Sequence, residues 1–105
     1  MLPWILLVVA GLFEVAWAVM LKQTQGWTRL WPSAATVALM IISFLLLARA
    51  MRDLPAGTSY AVWTGIGTVG VAILGVVLYA EPATLLRIGC VGLIVLGIVG
   101  LKVTG

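Results

Sequence analysis

Four long apolar runs, Pro3 to Leu21, Leu30 to Ala50, Gly57 to Tyr79 and Leu85 to Val103, occupy most of the chain, and polar residues are confined largely to the short stretches between them. Each run reaches the roughly 20 residues that an α-helix needs to cross a hydrocarbon core. Only helices and closed barrels satisfy their backbone in lipid, and these runs lack the two-residue alternation of barrel strands. The pattern predicts an all-α membrane protein with four transmembrane helices per chain, forming one domain over residues 1–105. The connecting segments, Lys22 to Arg29, Met51 to Ala56 and Ala80 to Thr84, carry Gly26, Pro55 and Pro82 and are too short to hold a second domain.

Composition agrees with that pattern: 64% of the residues are apolar and 9% charged, against roughly 25% charged in an ordinary soluble domain. The net charge of +3 comes from six basic residues scattered singly near the span ends, so no patch for nucleic acid is expected. One cysteine, Cys90, and no histidine exclude an intrachain disulfide and a Cys/His metal cluster, and no cofactor is expected. Ala16-Trp17-Ala18 imitates a signal-peptide cleavage site, but no basic segment precedes it and Glu14 interrupts the apolar stretch.

Basic residues on the two sides of the membrane set orientation. Arg49, Arg52 and Lys102 fall on the side of the termini and second loop, while Lys22, Arg29 and Arg87 fall on the other. Three against three gives no preferred orientation, and two oppositely inserted copies can then pair as an antiparallel dimer.

Glu14 is the one charge well inside a span, roughly 16 Å along the first helix and near mid-bilayer. A bare carboxylate there costs at least ~2.5 kcal/mol. It therefore stays protonated, faces a wet cavity or meets a cation. Lys22 and Arg49 lie at span ends, so the partner is expected from outside the chain, as a proton or a cationic substrate. Ala10, Gly11, Trp17, Ala18 and Leu21 share its side of the helix, leaving room for a ligand and offering an indole face to a cation. Tyr60 and Trp63, spaced i, i+3 in the third span, add a hydroxyl and a second indole, with an interfacial belt as the alternative for Tyr60. Ser43 either donates to a carboxylate or bonds back to its own helix.

The glycines of the third span, Gly57, Gly65, Gly67, Gly70 and Gly75, scatter around the helix, so packing alone does not explain them. Gly65 and Gly67 at mid-span mark an expected flex point. Gly89, Gly92, Gly97 and Gly100 instead form a stripe on the fourth helix, expected to serve packing within or between subunits. Four helices with one carboxylate enclose a pathway poorly, so two chains are expected to share a cavity lined by both Glu14 side chains. Such acids titrate as a coupled pair, and protons then compete with a cation for one site, which is the logic of an antiporter.

The stretches Gly11 to Trp17 (GLFEVAW), Leu21-Lys22, Gly26 to Arg29 (GWTR), Leu54 to Gly67 (LPAGTSYAVWTGIG) and Glu81-Pro82 resemble the small multidrug resistance family of bacterial proton-coupled exporters, over essentially the whole chain. Trp17, where drug-exporting members usually carry glycine, and Glu81-Pro82 resemble the guanidinium-exporter branch. Trp27, where phenylalanine is usual, is a departure confined to a loop. The resemblance implies an antiparallel dual-topology homodimer in the bacterial inner membrane, in contact with lipid, exchanging guanidinium or small guanidinyl cations for protons. Glu14 would bind proton and substrate, Ser43 and Trp17 would orient it, and Tyr60 and Trp63 would line the site. The alternative is export of quaternary ammonium or other hydrophobic cations; a purely assembling or regulatory subunit is a third reading. An enzyme is not expected, since no metal cluster, nucleophile-base pair or phosphate loop is present.

Overall fold

A computed structural model describes residues 2–104. It contains α1 (Leu2–Gln23), α2 (Leu30–Ala50), α3 (Ala56–Tyr79) and α4 (Leu85–Thr104), each long and apolar enough to cross a membrane. No strand occurs among the described residues.

Local chemistry ends each helix where the apolar runs end. After α1, Thr24 donates its hydroxyl to the Leu21 carbonyl (2.7 Å) and accepts the Trp27 N–H (3.1 Å), while Gln25, Gly26 and Trp27 take left-handed backbone conformations. Pro32 sits in the first turn of α2, where a missing N–H costs nothing. Pro55 caps α3 with an extended backbone. Ala80 ends α3 in a left-handed conformation (φ 55°), and its N–H and that of Glu81 both return to the Gly75 carbonyl. This Schellman-type ending turns the chain back on itself. Thr84 starts α4 by accepting the Arg87 N–H at 3.2 Å.

The bundle is a slab of 41 × 34 × 17 Å, with α1 packed against both α2 and α3. α4 lies against α3 and reaches α1 only through side chains, as where the Lys102 ammonium sits 5.0 Å from the Trp4 ring centroid. The buried core gathers Leu7, Ala10, Leu47, Ala50, Val62 and Trp63. All six lie toward the membrane face shared by the N-terminus and the α2–α3 loop. Toward the opposite face, the Tyr79 hydroxyl donates to the Val19 carbonyl (2.9 Å) and accepts from Gln23 (3.0 Å), while Lys22 lies over its ring. Tyr79 thus fastens the end of α3 to the end of α1. One half of the slab is filled and the other carries an open cleft.

α3 runs as one continuous helix through Gly65 and Gly67. Its glycines are contact points. A Cβ on Gly65 would approach Ile98 to 2.7 Å, and one on Gly70 would collide with Val15. Gly67 and Gly75 would collide with the carboxylates of Glu14 and Glu81, and only Gly57 faces open space. The scatter that argued against packing reflects packing against different partners on different sides of one helix. On α1, Gly11 likewise makes room for Ile66. The α4 stripe differs: a Cβ on Gly89, Gly92, Gly97 or Gly100 would meet nothing within 4 Å, and α4 buries no residue in the chain. These glycines do not pack within one subunit.

Candidate functional site

Helix α1 carries Glu14 roughly 18 Å along its axis from Leu2, on the side that faces α3. Gly67 supplies the space the carboxylate occupies. Glu14 Oε1 is buried and has no hydrogen-bond partner, and the same holds for Trp17 Nε1 one turn further on. A buried unpaired polar atom costs about 1–3 kcal/mol. Here an acceptor and a donor remain unmatched within one turn of one helix. Ser59 and Thr64 hydroxyls are the other such buried atoms among the described residues.

Glu14 opens into a cleft of about 390 Å³ whose walls include Ala18, Gly67, Thr68 and Val71. Glu81 and Arg87 line the same cleft. A chain cation therefore does share the space with Glu14, although Arg87 pairs with Glu81 (3.5 Å). The other ion pair among the described residues, Arg49 with Asp53, lies at the end of α2.

The second polar feature is a bridge joining three helices. Trp63 donates its indole N–H to Ser43 (2.9 Å), and Ser43 donates its hydroxyl to the Ala10 carbonyl of α1 (2.7 Å). Neither alternative expected for Ser43 holds: it bonds neither to a carboxylate nor back to its own helix. Rotation of α2 aims it at α1, where one hydroxyl serves a donor and an acceptor together. Ser43→Ala leaves the buried Trp63 N–H without an acceptor. We expect a loss of roughly 1–3 kcal/mol in stability, read as a lower unfolding midpoint in detergent.

Four rings form a continuous row across the helices: Trp17 on Phe44 (6.2 Å between centroids), Phe44 on Trp63 (5.5 Å) and Trp63 on Tyr60 (5.6 Å). Offset and edge contacts of this kind hold aromatic side chains in place. The structure thus brings Trp17, Ser43, Tyr60 and Trp63 into one connected group, with Glu14 one turn from Trp17. Trp63 is buried, whereas Tyr60 is 57% exposed in the single chain. Phe44, the ring that joins the two indoles, escaped the sequence reading because a lone aromatic in an apolar span carries no local signal. Its place directly after Ser43 was the available hint.

The arrangement offers an anionic group to a cation, a ring row that begins at Trp17 one turn further along α1, and a cleft leading from the carboxylate toward one membrane face. Among the described residues, no group of three or more His, Cys, Asp or Glu is placed to hold a metal ion.

Comparison with known proteins gives this geometry a context. The family model described as Small Multidrug Resistance protein matches residues 2–100. A guanidinium exporter of Escherichia coli strain K12 is 59% identical over 103 residues, covering 98% of each chain. A guanidinium exporter of Yersinia pseudotuberculosis is 59% identical over 101 residues, covering 96% of this chain and 97% of the relative. One of Citrobacter freundii is 56% identical over 103 residues, again covering 98% of each chain. Aligned with such relatives along nearly its whole length, this four-helix chain belongs to the Small Multidrug Resistance protein family and is a multi-pass protein of the bacterial inner membrane.

Proposed function

We propose that the protein is a proton-coupled antiporter exporting guanidinium, with Glu14 holding protons and cargo in turn. The half-buried Glu14 carboxylate in an open cleft, with Oε1 buried and unpartnered, is the observation that carries this reading, and the guanidinium exporters at 56–59% identity support the choice of cargo. A guanidinium ion presents N–H donors in a planar fork that matches a carboxylate, and its flat face suits an indole. Trp17 beside Glu14 provides such a ring. Ser43 acts at one remove, fixing Trp63 and thereby the ring row, while Tyr60 and Trp63 form the site wall. The activity is transport, without covalent chemistry.

The working unit is an antiparallel homodimer. Its support is the balanced count of basic residues, the exposure of Tyr60 in the single chain and the uncovered glycine stripe of α4. A second chain laid along that stripe comes close, because glycine lets helix backbones approach. With both Glu14 carboxylates in one cavity, protons and a cation compete for the same site, and exchange follows from that competition.

Guanidinium uptake into proteoliposomes with an acidic interior tests the cargo. Outward proton flow is expected to drive accumulation that tetraethylammonium, which has no N–H to donate, inhibits weakly. Equal inhibition and transport of the quaternary cation would favour the drug-exporter reading instead.

A further inference from the structure

The cleft that holds Glu14 has a second carboxylate at its other end. Glu14 rests on Gly67 and Glu81 rests on Gly75, and in both cases a Cβ on the glycine would collide with the carboxylate. The two glycines are two turns apart, roughly 12 Å along α3. Glu81 reaches this position because the left-handed turn at Ala80 folds it back, with its N–H on the Gly75 carbonyl at 3.2 Å. Thr68, Val71 and Ala72 line the wall between the two acids.

Glu81 already carries a guanidinium group, that of Arg87. The contact is loose: one Nη2 to Oε1 distance of 3.5 Å, with the two side chains 41% and 38% exposed. Guanidinium and carboxylate pair best through two short parallel hydrogen bonds, and an exposed single contact of this kind contributes little. Arg87 also donates through Nη1 to the Pro82 carbonyl, so it keeps a partner when it leaves Glu81.

We propose that Glu81 is a second cation station at the mouth of the Glu14 cleft, taking guanidinium or a guanidinyl cation in exchange for the Arg87 side chain and passing it inward to Glu14. The proposal rests on Glu14 being the transport carboxylate. A negative charge at a low-dielectric mouth concentrates cations before they enter, and Arg87 neutralises that charge until a better-fitting guanidinium displaces it. A quaternary ammonium ion cannot form the fork and gains only the weaker point attraction, so the station favours the donor-bearing cargo. In an antiparallel pair, one station lies at each membrane face.

Concentration series of gradient-driven guanidinium uptake test this with Glu81→Gln and Arg87→Gln. The station predicts opposite shifts: KM rises about five-fold in Glu81→Gln and falls about two-fold in Arg87→Gln, with both differences shrinking in high salt. Glu81→Asp, which keeps the charge, is expected to recover most of the loss. A pair that serves only as a brace for the α3–α4 turn predicts shifts in the same direction, or none, and either result overturns the station. Should Glu81→Gln fail to fold, Arg87→Gln alone decides, since an unchanged or raised KM contradicts displacement. Wild-type uptake that depends on Glu14 keeps the transport reading whatever these variants do. Wild-type protein without Glu14-dependent uptake overturns both.

Discussion

Glu14→Gln is expected to end guanidinium exchange, lowering the rate by at least about two orders of magnitude. Glutamine preserves the size of the side chain and its place against Gly67. It removes the negative charge that attracts the cation and the group that takes up the proton, so both halves of the exchange fail together. The neutral amide also costs less in the membrane than a carboxylate, and the variant is expected to remain folded. Uptake assays in proteoliposomes, paired with size-exclusion profiles in detergent, separate loss of exchange from loss of fold.

Gly67→Ala is the second large effect. Its new methyl group would collide with the Glu14 carboxylate, and the backbone of α3 leaves no slack because Gly70 is in turn pressed against Val15. The carboxylate must rotate out of its seat, and guanidinium affinity is expected to fall at least about tenfold. Helix propensity works the other way, since alanine favours a helix interior by about 1 kcal/mol over glycine. A weaker binder with undiminished helicity is therefore the expected outcome, read by guanidinium titration and circular dichroism. Unchanged affinity would mean that the seat on Gly67 does not govern the site.

The four helices lie within two residues of the apolar runs because a single physical demand shapes both: backbone groups in hydrocarbon must pair within their own segment. Proline and glycine mark the ends for equally local reasons. Glu14 stands out in the sequence because its cost in the membrane depends on depth alone. Contacts between helices are another matter, since they depend on how each helix is rotated about its axis, which four nearly uniform apolar runs hardly specify. Ser43 illustrates this, being aimed at Ala10 and Trp63 by the orientation of α2. The α3 glycines do too, since their purpose appears only once Glu14, Val15, Ile98 and Glu81 are seen against them. Arg87, read only as one of the basic residues near the span ends, and Glu81, read only through the Glu81-Pro82 resemblance, line the Glu14 cleft after the left-handed turn at Ala80, a conformation that alanine does not advertise. The fourth-helix stripe was visible in the sequence, yet one chain gives it nothing to touch.

Shared use of one carboxylate by proton and cargo is most directly tested by measuring protons released when guanidinium is added to the detergent-solubilised protein in weakly buffered, mildly acidic solution. The account predicts a saturable release from the wild type that tracks guanidinium binding and disappears in Glu14→Gln. Saturable guanidinium binding without proton release from the wild type would contradict it.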